Sequence, residues 1–396
     1  MIILDRFVIL AGLLSLVAGC HRAPSVKADP LHQMVAAKYR IEQDGDHLKW
    51  KYYVSRIDLR TNTIVSETQI PEEPYQLLEL PNGSVVVTFC RAPGTYQKKL
   101  GIIDSDGKYK RFLRTAQLDP NATWTFGKEV MVLEGGAFSG PLHAQWVTQK
   151  GKSKRVVKLD DSAMLNIESI CYSPREKAFL MAADVFSPGH LVTANNMLIK
   201  LYPQKGTFTK KQWPYYWTAP NLCFIASTNK VLVGPVVDER ISQEMAGHII
   251  HRIDIVGYPN FNLIKIILLE GIVRDIVYAP DVEKAYVRVE YFDTKKPLTL
   301  RPMEYKTAVI DLKTNRLLGY LKFQSSTIHY EGHHRLACDD WQWEYRIDPA
   351  TGSYNLYKKN TRLILLDTRT DTVVAEFPGD YHKVGIDAEI QNFSRQ

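Results

Sequence analysis

The chain has 396 residues, with 50 Lys and Arg against 43 Asp and Glu, and a formal net charge of +7. Hydrophobic residues make up 45% and charged residues 23%, an ordinary globular balance, and a chain this long buries enough apolar surface to fold without disulfide or metal staples. The basic excess is dispersed; no stripe or patch of the kind a nucleic-acid binder uses is present, so no nucleic acid is expected as a partner.

MIILDRFVILAGLLSLVAGC opens the chain. The apolar run from Phe7 to Val17 is too short to span a bilayer comfortably and fits the core of a signal peptide, although Asp5 offsets Arg6 in the segment before it. Val17-Ala18-Gly19-Cys20 resembles the lipobox of bacterial lipoproteins. That resemblance implies cleavage after residue 19, a diacylglycerol thioether on Cys20, and a mature chain anchored by its acyl chains at about 0.8 kcal/mol per buried CH₂. His21 stands where an inner-membrane retention signal would place Asp, so the periplasmic side of the outer membrane is the expected address. An ordinary cleaved signal or a short membrane anchor is the alternative. Residues 20–33 combine Pro, Ser, Ala and charge without periodicity and read as a flexible tether. The folded domain is then 34–396.

Cys90, Cys171, Cys223 and Cys338 remain, and four cysteines allow three pairings. Each lies in or beside an apolar strand-like stretch (VVVTFC, ESICYS, NLCFIA, RLACDD), which favours buried unbonded thiols.

One phrase then recurs. IDLRTNTIV (57–65), IDLKTNRLL (310–318) and LDTRTDTVV (366–374) each read strand, turn, strand, with Asn or Asp tolerating left-handed backbone in the turn. Weaker versions turn at Asp106-Gly107, Lys150-Gly151 and Lys205-Gly206, and a longer one occupies 249–269. Second hairpins follow most of them, as in PYQLLELPNGSVVVTFC (74–90), with its Asn-Gly turn, and DIVYAPDVEKAYVRV (275–289). Sustained helical periodicity is nearly missing after residue 20. Four short strands per repeat of about 40–50 residues predict an all-β protein, a single β-propeller of seven four-stranded blades, with six or eight also open. A string of β-sandwiches is the rival. MVAAKYRIE (34–42) and YHKVGIDAEIQNF (381–393) are the candidates for closing the ring with strands from both termini.

IDLRTNTIV followed by PYQLLELPNGSVVV resembles the YVTN-type β-propeller repeat of bacterial surface and periplasmic proteins, over most of residues 50–380. The resemblance implies a blade architecture and names no reaction.

Alternating strand direction puts the short turns on one face of the disc. The longer, irregular links RAPGTYQ (91–97), DVFSPGHLVTAN (184–195), VVDERISQEMAG (236–247) and EYFDTKKPLTLRPMEY (290–305) then share the other. Loops on a rigid scaffold carry recognition, which nominates Tyr96, Phe186, His190, Asp238, Arg240, Glu244, Tyr291, Asp293, Lys295 and Arg301 as contact residues. The aromatic insertion CDDWQWEYRIDPATGSYNLYKKN (338–360) reads as an extra hairpin turning at residues 348–352. His329, His333 and His334, near Cys338, Asp339 and Asp340, lack CxxC or HExxH spacing and read as a polar loop with no metal. Lys210 and Lys211 in TKKQWPYYWTAP (209–220) read as blade edge. No nucleophile elbow, P-loop or dinucleotide fingerprint occurs, and no motif calls for a cofactor. The expected function is binding of an envelope protein or cell-wall glycan, with no catalytic residue assigned. A glycan or lactone hydrolase at the channel mouth is the alternative.

Overall fold

A computed structural model describes residues 32–44, 47–80, 82–89, 100–113, 120–126, 129–136, 140–148, 153–160, 165–185, 196–212, 218–236, 251–291, 304–325, 327–347 and 354–382. Among them there are 28 strands and no α-helix. The chain enters with β1 (Gln33–Asp44), β2 (His47–Asp58) and β3 (Thr63–Ile70). Six complete sheets follow. Blade 1 is β4 (Pro74–Glu79), β5 (Val85–Phe89), β6 (Leu100–Ile103) and β7 (Tyr109–Leu113). Blade 2 is β8 (Pro120–Phe126), β9 (Glu129–Gly136), β10 (Gly140–Thr148) and β11 (Ser153–Asp160). Blade 3 is β12 (Leu165–Ser173), β13 (Ala178–Val185), β14 (Asn196–Tyr202) and β15 (Thr207–Gln212). Blade 4 is β16 (Thr218–Ile225), β17 (Lys230–Val236), β18 (Arg252–Gly257) and β19 (Asn262–Leu268). Blade 5 is β20 (Ile272–Ala279), β21 (Lys284–Tyr291), β22 (Glu304–Asp311) and β23 (Arg316–Tyr320). Blade 6 is β24 (Ile328–Gly332), β25 (Arg335–Ile347), β26 (Tyr354–Asp367) and β27 (Thr372–Pro378).

The short C-terminal β28 (Asp380–His382) then pairs with β1, giving blade 7 the order β28-β1-β2-β3. The ring is a seven-bladed propeller closed by both ends of the chain, with three strands from the N-terminus and one from the C-terminus. The first strands of neighbouring blades touch one another around the centre, as β12 does with β16 and β16 with β20. The fourth strands form the rim and are exposed along most of their length.

The recurring phrase is the outer hairpin of a blade, and the Asn-Gly type of hairpin opens the next blade. Its wording has a local cause. In the turn after β2, Asp58 Oδ1 accepts from the backbone N–H groups of Arg60 (2.8 Å) and Thr61 (3.2 Å). Asp311 does the same for Lys313 N (2.9 Å) and Asp367 for Arg369 N (2.9 Å). The fourth residue must then turn left-handed: φ is 53° at Asn62, 52° at Asn315 and 56° at Asp371. Asn and Asp occupy that region at least cost among non-glycine residues.

Between blades the sheets pack face to face through Val, Ile, Leu and aromatic side chains, with Trp146, Tyr278, Tyr286 and Phe179 fully buried. Each such aliphatic side chain contributes about 1.5–3 kcal/mol on burial. Where seams reach the tight turns, polar groups lock one blade to the next. Arg56 of blade 7 donates to Asp104 O in the outer turn of blade 1 (2.9 Å), and Arg155 of blade 2 to Gln204 O of blade 3 (3.2 Å). Tyr258 of blade 4 donates to Glu176 of blade 3, and Lys284 of blade 5 reaches Thr368 O (2.8 Å) and Asp371 (2.7 Å) of blade 6. Among the described cysteines, Cys171, Cys223 and Cys338 are buried and form no disulfide; Cys90 lies outside the described residues.

Candidate functional site

Strand direction assigns every connection to a face. Turns joining the first to the second strand of a blade, and the third to the fourth, lie on one face and are 2–5 residues long between the strand ends. Connections between second and third strands lie on the opposite face. From blade 1 to blade 7 they measure 10, 3, 10, 15, 12, 6 and 2 residues. The two adjacent blades with short connections late in this series, 6 and 7, lengthen their strands instead.

In blade 7, β28 pairs only with Ala37–Tyr39 and β3 only with Tyr52–Asp58. Beyond them Arg40–Asp44 and His47–Lys51 continue as a two-stranded ribbon, paired from Arg40↔Lys51 to Asp44↔His47, about 13 Å at about 3.3 Å per residue step. In blade 6, Gln342↔Lys359 through Ile347↔Tyr354 form a second ribbon beyond the reach of β24 and β27. The extra hairpin expected over 338–360 is this ribbon, built on the ends of β25 and β26. Both ribbons project from the face that carries the long loops.

The blade 7 ribbon is amphipathic. Val35, Ala37, Tyr39, Tyr52 and Val54 pack toward blade 1 in one cluster with Leu77 and Phe89. The same side continues outward as the cross-strand pair Tyr39↔Tyr52, whose rings meet edge to face at 5.6 Å, and then as Ile41↔Trp50. Ile41 is 53% exposed and Trp50 49%. The opposite side is charged: Lys51 pairs with Glu42, Arg40 and Lys38 share Glu67 (2.5 and 2.7 Å), and the Arg40 guanidinium stacks over Tyr53 at 4.7 Å.

Below the loops the blades carry internal ion pairs. Arg252 holds the fully buried Asp254 (3.0 Å) in blade 4. Burial raises that carboxyl above its ordinary range, against the pull of Arg252. Arg274 pairs with buried Glu290 in blade 5, beside Arg288, which lies over the Tyr305 ring at 5.2 Å. Tyr305 in turn meets Trp341 of blade 6 at 6.1 Å, and burial, with the Glu290 charge, pushes its hydroxyl up. Arg362 takes Asp340 (2.8 Å) in blade 6. Removing one partner from such a pair leaves a buried charge uncompensated, so these pairs fix the strand ends on which the loops stand.

Of the residues nominated from sequence, Tyr96, Phe186, His190, Asp238, Arg240, Glu244, Asp293, Lys295 and Arg301 lie outside the described residues, as does Cys20. Tyr291 is described at the end of β21. It is half-buried, and one ring face is taken by Lys306 Nζ at 4.5 Å, itself held by Glu270 at 2.6 Å. Lys210, on the rim strand β15, pairs with Asp160 (3.1 Å). The histidine group is dispersed: His329 sits on β24, His333 stacks on His32 at 4.3 Å, and His334 Nδ1 meets Asp281 at 2.6 Å. Cys338 is fully buried, and Asp339 accepts from Thr327 N (2.7 Å). Among the described residues no group of three or more His, Cys, Asp or Glu is placed to hold a metal ion.

Ile41 and Trp50 were not singled out from sequence. Their signal was present: Tyr39 and Ile41 alternate before Asp44-Gly45, and Leu48, Trp50 and Tyr52 alternate after it, around a hairpin turn signal.

No family model matches the chain, and no curated protein matches it. Solved structures do. Hydrazine synthase of Kuenenia stuttgartiensis superposes with a TM-score of 0.54 at 9% identity, covering 81% of this chain and 95% of that one. A structure described as a putative 6-phosphogluconolactonase of Bacteroides uniformis gives 0.51 at 15% identity, covering 89% and 99%. The periplasmic gluconolactonase of Pseudomonas aeruginosa gives 0.50 at 12% identity, covering 88% and 98%. At these identities the likeness is one of fold, and the fold is that of a seven-bladed β-propeller.

Proposed function

We propose that this chain is a lipid-anchored protein of the bacterial envelope that binds another envelope protein or a cell-wall glycan through its long-loop face. The observation that carries the reading is the Ile41–Trp50 pair, half-exposed on a paired two-stranded ribbon on the same face as the long connections. Aromatic and aliphatic side chains presented with little rotamer entropy left to lose make efficient contact anchors. The YVTN-like wording of the repeats and the lipobox-like Val17-Ala18-Gly19-Cys20 support the envelope setting. Crosslinked affinity purification from membranes tests the reading, comparing the native chain with Trp50→Ala and with a chain shortened over 292–303, between β21 and β22. One envelope protein or glycan recovered with the native chain and lost with either variant supports it. Equal recovery with all three chains sinks it.

A second reading, an envelope lactone or glycan hydrolase, draws on two of the fold neighbours bearing lactonase names and on the buried Glu290 beside Arg274. Gluconolactone opening by the purified chain, lost in Glu290→Gln, would favour it. Turnover no faster than the uncatalysed rate would remove it.

A further inference from the structure

The point at which the chain enters the propeller is tied to the tight-turn face. His32 O accepts from Leu59 N (2.8 Å) at the start of the β2–β3 turn, and the His32 ring stacks on His333 of the β24–β25 turn at 4.3 Å and 22°. From there β1 runs the full thickness of the molecule. Its 12 residues, Gln33–Asp44, cover about 36 Å at about 3.3 Å per residue and end in the ribbon on the opposite face.

From Cys20 to His32 there are 32 − 20 = 12 residue steps. Fully drawn out they reach about 40 Å, and as a relaxed coil about 20 Å. To lay the ribbon on the bilayer that holds Cys20, this tether would have to return the whole length of β1 and also pass around the rim, leaving no slack. With the tight-turn face toward the bilayer it stays relaxed. Stretching a chain to its limit removes nearly all its conformational freedom, which opposes that orientation.

We infer that the tight-turn face lies toward the anchoring membrane and the ribbon and long-loop face points away from it. This rests on the lipid anchor of the proposed function and adds a partner class to it. The ligand is a macromolecule on the far side of the propeller from the anchoring bilayer, not a lipid headgroup or a membrane-embedded surface of that bilayer.

Energy transfer measures the orientation. The full-length chain, expressed in a bacterium so that its N-terminus is processed, is reconstituted in vesicles of phosphatidylethanolamine and phosphatidylglycerol carrying a headgroup acceptor dye. A donor is placed on Lys313→Cys in a tight turn, or on Lys49→Cys in the ribbon, each in a Cys90→Ser background. Transfer is expected to be clearly higher from position 313, and a tether lengthened by about 20 Gly and Ser residues, whose relaxed reach rises from about 20 Å to about 32 Å, should narrow the difference. Equal transfer with the native tether, or more from position 49, overturns the inference. The mass of the N-terminal peptide and vesicle flotation of Cys20→Ala report the anchor separately. A chain with no lipid that does not float removes the anchoring reading and the orientation with it. A lipidated, floating chain with reversed transfer removes the orientation alone.

Discussion

Ile41 and Trp50 face each other across the blade 7 ribbon, two residues beyond the Tyr39–Tyr52 pair, with about half of each side chain exposed to solvent. The inner pair is packed against blade 1; the outer pair continues the same stripe past the end of the sheet. An apolar cross-strand pair beyond the end of the four-stranded sheet does little for the core, because its neighbours on one side are water.

Trp50→Ala should therefore change unfolding stability by less than about 1 kcal/mol, while a contact anchor at this place would cost about 2 kcal/mol of binding, roughly thirtyfold. Urea unfolding and partner recovery from membranes, run on the same preparations, check both halves. A large loss of stability would make Trp50 a packing residue.

Tyr286 is fully buried, and its hydroxyl donates to Asp371 of the next blade and lies 3.3 Å from Thr368 O. Tyr286→Phe keeps the ring and removes the lock. It should lower stability by about 1–2 kcal/mol, with a lower urea midpoint and an unchanged slope. A midpoint equal to the native one would show that Lys284 alone suffices to hold the blade 6 turn.

The turn aspartates set an acid limit. The Arg369 side chain and backbone hold Asp367 well below the ordinary carboxylate range, and Thr314 with the Lys313 N–H lowers Asp311. At Asp58 and Asp104 burial pushes the other way, and hydrogen bonds from Arg60 and from Lys108 and Lys110 outweigh it. A carboxyl lowered on folding stabilises the native state above its unfolded value, near 3.9, and that stability is lost as pH falls through about 4 toward the folded value. The urea midpoint should hold from pH 7 to about 5 and fall steeply below about 4. Asp367→Asn, which cannot titrate, should start lower at pH 7 and fall less. An equal acid loss in native and variant would put the sensitivity elsewhere.

Ring closure hangs on three residues. Tyr381 of β28 is buried in the blade 6–blade 7 cluster with Met34 and Phe377, and Lys38 Nζ lies 4.9 Å over its ring. Tyr381→Ala should cost about 3 kcal/mol, and deletion from residue 379 onward should leave β1 without its inner neighbour. Calorimetry should show a lower, broader transition for the deletion. A sharp transition at the native temperature would mean that the ring closes without β28.

Much of this is legible in the sequence alone. The Asp and Asn of IDLRTNTIV and LDTRTDTVV act within four residues of themselves, so their wording alone determined the blade's outer turn, and repetition of the wording determined the propeller. The hairpin count left strands to come from both chain ends, and β1 fills the expected 34–42; of the expected 381–393, β28 takes Tyr381 and His382, and the remainder lies outside the described residues. What only the tertiary structure decided is which neighbouring blade each side of a strand meets and where a strand outruns its partners, which no local pattern encodes. Parity sends Tyr39, Ile41 and Trp50 toward blade 1 and Lys38, Arg40 and Glu67 toward the charged side. Closure carries β1 beyond β28 into a ribbon of its own and places His32, the first described residue, on the face opposite that ribbon. The hydrogen bonds that shape a turn span four residues; those that join β28 to β1 span most of the chain, and their meeting is decided by how seven sheets fill a circle.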